Sequence, residues 1–171
     1  MKIKVRYGTY ETNSSSIHAL VIQNKNVSKE DMKYTLTIKH GDYGWERECY
    51  DWPNARVSYM CQALITYKKP QEAEEALKPL LKIFDKYGIK YEFEDDYFKP
   101  DGWGDLDGYI DHVDEVYDFF IDMMHSDKKV LRFIFGGDSA IYTGNDNDED
   151  GFGWYEDLQD VADCEVYIKG N

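Results

Sequence analysis

Apolar and polar residues alternate at the start of the chain. Ile3, Val5 and Tyr7 fall on one side and Lys4 and Arg6 on the other, the period of a half-buried strand. The pattern then changes. Ile17–Gln23, IHALVIQ, is almost unbroken apolar sequence and predicts a more central strand. Lys33–His40 alternates again, and GDYG then turns the chain into Trp45–Tyr50, so these two segments are expected to pair as a hairpin.

Helical spacing follows. Val57, Met60, Cys61, Leu64 and Ile65 share one face of a helix that opens at Pro53, with Asp51 as a candidate cap. A second helix is expected from Pro70 to Gly88, with Pro79 inside it and Gly88 as its left-handed terminator. Ile89–Glu94 alternates as a strand. A third helix is expected over DLDGYIDHVDEVYDFFIDMMHSD, where Leu106, Tyr109, Ile110, Val113, Val116, Tyr117, Phe120, Met123 and Met124 form one stripe. Lys128–Phe135 is expected to be a strand, the residues after it a loop, and Cys164–Gly170 a short last strand. This order predicts an α+β fold in a single domain, residues 1–171, with a mainly antiparallel sheet covered on one face by about three helices.

Composition narrows the class. Of 171 residues, 42% are apolar and 16% aromatic, which suits a packed core and not a disordered chain. No apolar run is long enough for a membrane span, and MKIKVRYGTYE lacks the apolar stretch of a secretory signal. A cytoplasmic location is therefore expected, with no membrane partner. Cys49, Cys61 and Cys164 have no zinc-type spacing and are expected to be buried free thiols.

Charge changes the picture more. The net charge is −14 and it is unevenly placed. Residues 1–91 hold 15 Lys and Arg against 11 Asp and Glu, while residues 92–171 hold 5 against 23. Such an asymmetry bears on partners and solubility. An acidic half repels nucleic acid backbones and suits a basic surface, so direct binding of duplex DNA is not expected.

The candidate chemistry begins between the first two strands. Glu11, Thr12, Asn13, Ser14, Ser15, Ser16 and His18 fall within eight residues. Ser and Asn side chains bond nearby backbone amides, so the run suits a tight connection. Turned outward, the same groups suit a phosphate or oxyanion site. A catalytic reading takes Ser14 or Ser16 as nucleophile, His18 as general acid or base and Glu11 as its orienting group. No GxSxG or SxxK context accompanies them.

The segment YETNSSSIHALVI also resembles the opening of small proteins carried by bacteriophages and mobile elements, whose starts read approximately FETNSSSxHxLxI. DSAIYTGNDN, Asp138–Asn147, is similar to a second segment of that group. Tyr10 stands where the group has Phe. The resemblance covers about a fifth of the chain. It extends towards type II-A anti-CRISPR proteins, which inhibit Cas9, one of them associated with guide-RNA truncation. It implies a counter-defence role but no established duty for Glu11 to Ser16 or His18.

A second constellation is acidic. Glu92–Asp122 holds twelve carboxylates and one cation, Lys99. Asp107, Asp111, Asp114, Glu115, Asp118 and Asp122 take positions that the apolar stripe leaves open. Carboxylates at one-turn steps repeat about every 5–6 Å, a scale like that of phosphates along a strand. Such a face suits a cationic groove built for nucleic acid, which a guide-dependent nuclease presents. An ordinary solvated helix face has the same composition.

A third is DNDEDGFGWYED. Asp146, Asp148, Asp150 and Gly151 fit the start of a calcium loop, with Asp157 at the twelfth position, where Glu is usual. No cofactor is expected unless this loop binds Ca²⁺ or Mg²⁺; otherwise it is a plain acidic loop. His40, His112 and His125 are expected to be surface or structural. Trp45, Trp52, Trp103 and Trp154 are expected as lids over the core, with base stacking as the alternative.

Two functions follow. The first is a phage-encoded inhibitor that binds a basic host protein, Cas9 or its guide-RNA complex, and blocks nucleic acid access or guide integrity. The second is a phosphodiesterase or ribonuclease working through Glu11, Ser14, Ser16 and His18, with or without a divalent ion.

Overall fold

The computed structural model describes residues 2–7, 16–44, 46–145 and 163–170. The elements run β1 Lys2–Tyr7, β2 Ser16–Gln23, β3 Leu36–Ile38, β4 Asp42–Tyr43, β5 Glu48–Tyr50, α1 Pro53–Ile65, α2 Pro70–Tyr87, β6 Tyr91–Phe93, β7 Tyr109–Ile110, α3 Asp114–Met123, α4 Asp127–Phe135, β8 Ala140–Asn145 and β9 Cys164–Gly170. The fold is α+β, as the pattern predicts, with four helices among the described residues where about three are expected. Its main sheet has the order β1-β9-β2-β8-β5. Only the β1–β9 edge is parallel; β2 pairs antiparallel with both β9 and β8, and β5 antiparallel with β8.

β2 lies at the centre and every residue in it is buried. Its even positions, Leu20 and Ile22, join Ile141, Tyr167 and apolar residues of all four helices in one core. Its odd positions, Ile17, Ala19 and Val21, join Cys164, Val166 and Ile168 on the other face. Burial on both faces is why the strand's sequence shows no polar alternation.

Two predicted helices stand as expected. α1 starts at Pro53, although its N-cap is Trp52 and no side chain caps it, so Asp51 does not serve that role. α2 ends at Gly88, whose φ of 67° is the left-handed turn that glycine adopts without penalty.

Four expectations are corrected. The Lys33–His40 and Trp45–Tyr50 segments do not form a hairpin. β3 pairs parallel with β6, β4 pairs parallel with β7, and β5 joins the main sheet. The expected helix from residue 105 begins only at Asp114. Gly108 and His112 hold left-handed backbone, φ 71° and 51°, which interrupts an α-helix. A Cβ on Gly108 would meet the Gly41 backbone at 2.9 Å, so this glycine lets β7 lie close to β4. Lys128–Phe135 is helical, not a strand. VLRFIF is compatible with both periods, and charge placement favours the helix: Asp127 in the first turn and Arg132 in the last suit the helix dipole. Part of the expected loop beyond it is β8.

Among the described residues no helix is long and apolar enough to cross a membrane. Cys61 and Cys164 are buried as expected, but Cys49 is exposed. Trp52 and Trp103 are exposed and do not cover the core.

Candidate functional site

The first half of β2 carries two polar side chains on its helix-facing side. Ser16 and His18 precede Leu20 and Ile22 in the same alternation, so the strand that supplies the core also carries them into it. Both are buried. Ser16 Oγ lies 2.9 Å from His18 Nε2. The backbone carbonyl of Asp111 accepts from Ser16 Oγ at 3.1 Å and lies 3.0 Å from His18 Nε2. On the other side of the ring, the Tyr59 hydroxyl sits 2.8 Å from His18 Nδ1. Tyr59 is fully buried on α1, and burial pushes its phenol well above the usual range.

These contacts assign the imidazole's proton. A carbonyl oxygen only accepts, so the Nε2 facing Asp111 carries the hydrogen. In the neutral ring Nδ1 is then bare and accepts from the Tyr59 hydroxyl. A serine nucleophile needs the reverse, a bare nitrogen that takes the hydroxyl proton. In this arrangement Ser16 gives its proton to the Asp111 carbonyl, and the ring clamps the same carbonyl beside it. Gly44, at φ 114°, closes the cluster: a Cβ there would meet His18, Ser16 and Asp111 side-chain atoms at 3.0–3.1 Å. The cluster thus ties β2, α1 and the segment after β7 together. Glu11 and Ser14 lie outside the described residues.

From Asp111 the chain passes directly into α3. Asp114, Asp118 and Asp122 are all exposed, four residues apart, on one row of this helix. Successive carboxylates are about 6 Å apart along the axis. Among the described residues none of the three has an ion-pair or hydrogen-bond partner. Glu115 also belongs to α3. Asp107 and Asp111 do not. Asp107 is in the loop before β7 and accepts from the Gly108 amide at 3.0 Å. Asp111 is half-buried, its carboxyl 3.9 Å from His112 Nε2. The structure therefore shortens the expected ladder, because the left-handed residues at 108 and 112 start the helix late.

Other carboxylates of the acidic region serve local structure. Asp96 pairs with Lys99 and Asp105 with Lys69 at 3.0 Å. Glu92 accepts from Thr37 and Glu94 from the His40 amide. Asp101 accepts the amides of Trp103 and Asp105 at 2.8 and 3.0 Å. Those amides, Asp105's first, hold its carboxyl below its ordinary value.

The remaining histidines fit the surface or structural expectation. His40 bonds Gln62 and the Tyr97 carbonyl and stacks on the Tyr97 ring at 4.0 Å; His112 and His125 are exposed. Asp146, Asp148, Asp150 and Asp157, the expected cation ligands, lie outside the described residues, as do Trp45 and Trp154. Among the described residues no group of three His, Cys, Asp or Glu is placed to hold a metal ion.

Sequence reasoning missed Tyr59, which is not among the residues of the expected apolar face of α1. It also missed Arg56, buried on the same helix and donating through Nη1 to the carbonyls of Gly136, at 2.7 Å, and Ser139. Burial lowers its guanidinium to about 10. Neither residue has a local signal, because each is defined by partners far along the chain. No family model, curated protein or solved structure matches the chain.

Proposed function

We propose that this is a binding protein that docks on a cationic groove through the α3 row, Asp114, Asp118 and Asp122. One observation carries the reading: three exposed carboxylates stand at one-turn steps with no cation of the described residues neutralising them, although most of their acidic neighbours are engaged. Unscreened charge of one sign speeds encounter with a complementary partner and fixes its orientation. The Ser16–His18–Tyr59 cluster holds the carbonyl of Asp111, three residues before the row, and so acts as scaffold.

The partner class we favour is a host nucleic-acid-handling protein, specifically a guide-RNA nuclease such as Cas9. That choice rests on the ETNSSSxH resemblance together with the acidic row. Occupying its groove blocks nucleic acid entry.

The test is binding of the purified chain to Cas9, with and without guide RNA, at low and high salt. Binding is expected at low salt and weakens as salt rises. The triple variant Asp114→Lys, Asp118→Lys, Asp122→Lys is expected to bind at least tenfold more weakly. Absence of binding at low salt removes Cas9 as the partner. Capture of another basic protein that the triple variant no longer retains would keep the groove-binding reading alone. Guide RNA is expected to stay full length. If it is shortened, and His18→Ala abolishes this while remaining folded, the phosphodiesterase reading replaces the present one.

A further inference from the structure

The acidic chain also carries a basic cleft. It opens where the segment after β2 meets the end of α2 and the outer side of α4, and it encloses about 260 Å³. Its apolar wall is Val27, Met32 and Leu131, with the half-exposed ring of Tyr87 beside them. Asn26, Lys29, Lys128 and Arg132 complete the lining, which contains no carboxylate of the described residues.

For a chain of net charge −14 this convergence needs explaining. The carboxylates nearest in sequence are engaged elsewhere. Glu30 pairs with Lys33, Asp127 pairs with Lys86, and Asp31 accepts the amide and hydroxyl of Ser28 at 2.7 and 2.8 Å. Among the described residues no carboxylate pairs with Lys29 or Lys128. Arg132 spends Nη1 on the Asn24 carbonyl at 3.0 Å, while its Nε is buried with no acceptor among the described residues. Three cations around one hollow repel each other unless an anion enters. A guanidinium and two ammonium groups suit the several oxygens of a phosphate. The wall beside them suits a flat apolar body, since aromatic rings stack on tyrosine. The volume lies just below the usual range for drug-sized ligands, about 300–1,000 Å³, so one ring system with one phosphate fits and a dinucleotide does not.

We propose that this cleft binds a small aromatic phosphate, its ring against Tyr87 and Leu131 and its phosphate among Lys29, Lys128 and Arg132. The site is independent of the α3 row and of whatever that row binds.

Isothermal titration with four probes tests it: phenyl phosphate, adenosine monophosphate, inorganic phosphate and adenosine. At least one of the two aromatic phosphates is expected to bind, with inorganic phosphate and adenosine at least tenfold weaker. Binding of adenosine monophosphate alone assigns the site to nucleotides; binding of both assigns it to aryl phosphates in general. The double variant Lys29→Glu, Lys128→Glu, at two exposed positions, is expected to lower the affinity at least tenfold with an unchanged circular dichroism spectrum. Tyr87→Ala is expected to weaken the aromatic phosphates more than inorganic phosphate. The triple α3 variant is expected to bind them as the parent does. The proposal is overturned if neither aromatic phosphate binds at millimolar concentration, if the folded double variant binds as tightly as the parent, or if inorganic phosphate binds as tightly as the tighter of the two aromatic phosphates.

Discussion

Asp111 separates two polar regions that the sequence raises as separate candidates. On its inner side, Ser16, His18 and Tyr59 are buried and point their hydrogen bonds at one another and at its carbonyl. On its outer side, Asp114, Asp118 and Asp122 face water without partners among the described residues. Both regions are rich in groups that do chemistry. The difference lies in whether their hydrogen-bonding capacity is already used within the fold. A buried, bonded cluster contributes rigidity and position, whereas an exposed, unbonded row is available to something else. Residue type alone does not distinguish the two.

The comparison breaks most visibly at His18. His18→Ala removes a buried ring and leaves the Tyr59 hydroxyl without its acceptor, so a loss of about 2–4 kcal/mol is expected in urea unfolding. A change below about 0.5 kcal/mol, the range usual for surface substitutions, would mean that the cluster does not hold the fold. Tyr59→Phe is gentler. It keeps the ring and removes the donor to Nδ1, with an expected cost of about 1–2 kcal/mol. The triple α3 variant should leave stability within about 1 kcal/mol of the parent, because carboxylates one turn apart repel by only tenths each. Its effect falls on partner binding. If instead it unfolds the protein while His18→Ala does not, the roles assigned to the two sides of Asp111 are reversed.

The smallest effect sharpens the boundary of the acidic region. The Asp105 and Trp103 amides hold the Asp101 carboxyl below its usual value near 3.8. Its contribution to the turn is therefore complete above that value and is lost as pH falls through the lower folded value. Hydrogen exchange of those two amides, corrected for its intrinsic pH dependence, is expected to lose protection only in that acid range. In Asp101→Asn the acid-dependent change should vanish. An unchanged acid response in this variant would show that another group governs the turn.

Much of the frame was legible from residue pattern. The double-sided burial of β2, the limits of α1 and α2 and the extent of β9 follow from periodicity and from Pro53, Pro70 and Gly88. What escaped has specific causes. Val130 to Phe135 fits two periods at once, and only the placement of Asp127 and Arg132 favours the helix. Most of the stripe from Leu106 to Met124 is buried or partly buried, with Ile110 and Val113 in the core, but Tyr109 is exposed and the backbone beneath the stripe is not one helix. The candidate site was half legible. Ser16 and His18 stand out in sequence, but Tyr59 and the Asp111 carbonyl, which fix the direction of their hydrogen bonds, lie 41 and 93 residues from His18. The row on α3 follows from spacing within one helix. The basic cleft does not, because its cations come from segments about a hundred residues apart, and Lys128 and Arg132 sit within the half that bulk charge marks as acidic.

The pairing of β2 has a consequence for biosynthesis. Its two neighbours in the sheet, β8 and β9, are translated more than a hundred residues after it. An eight-residue segment that is wholly buried when folded therefore leaves the ribosome with both hydrogen-bonding edges open, and stays so until nearly the rest of the domain has been made. Closing so distant a pairing is slow, and unpaired apolar strands invite association between chains. Production of this protein should accordingly depend on chaperone capacity and on low growth temperature more than its size alone suggests.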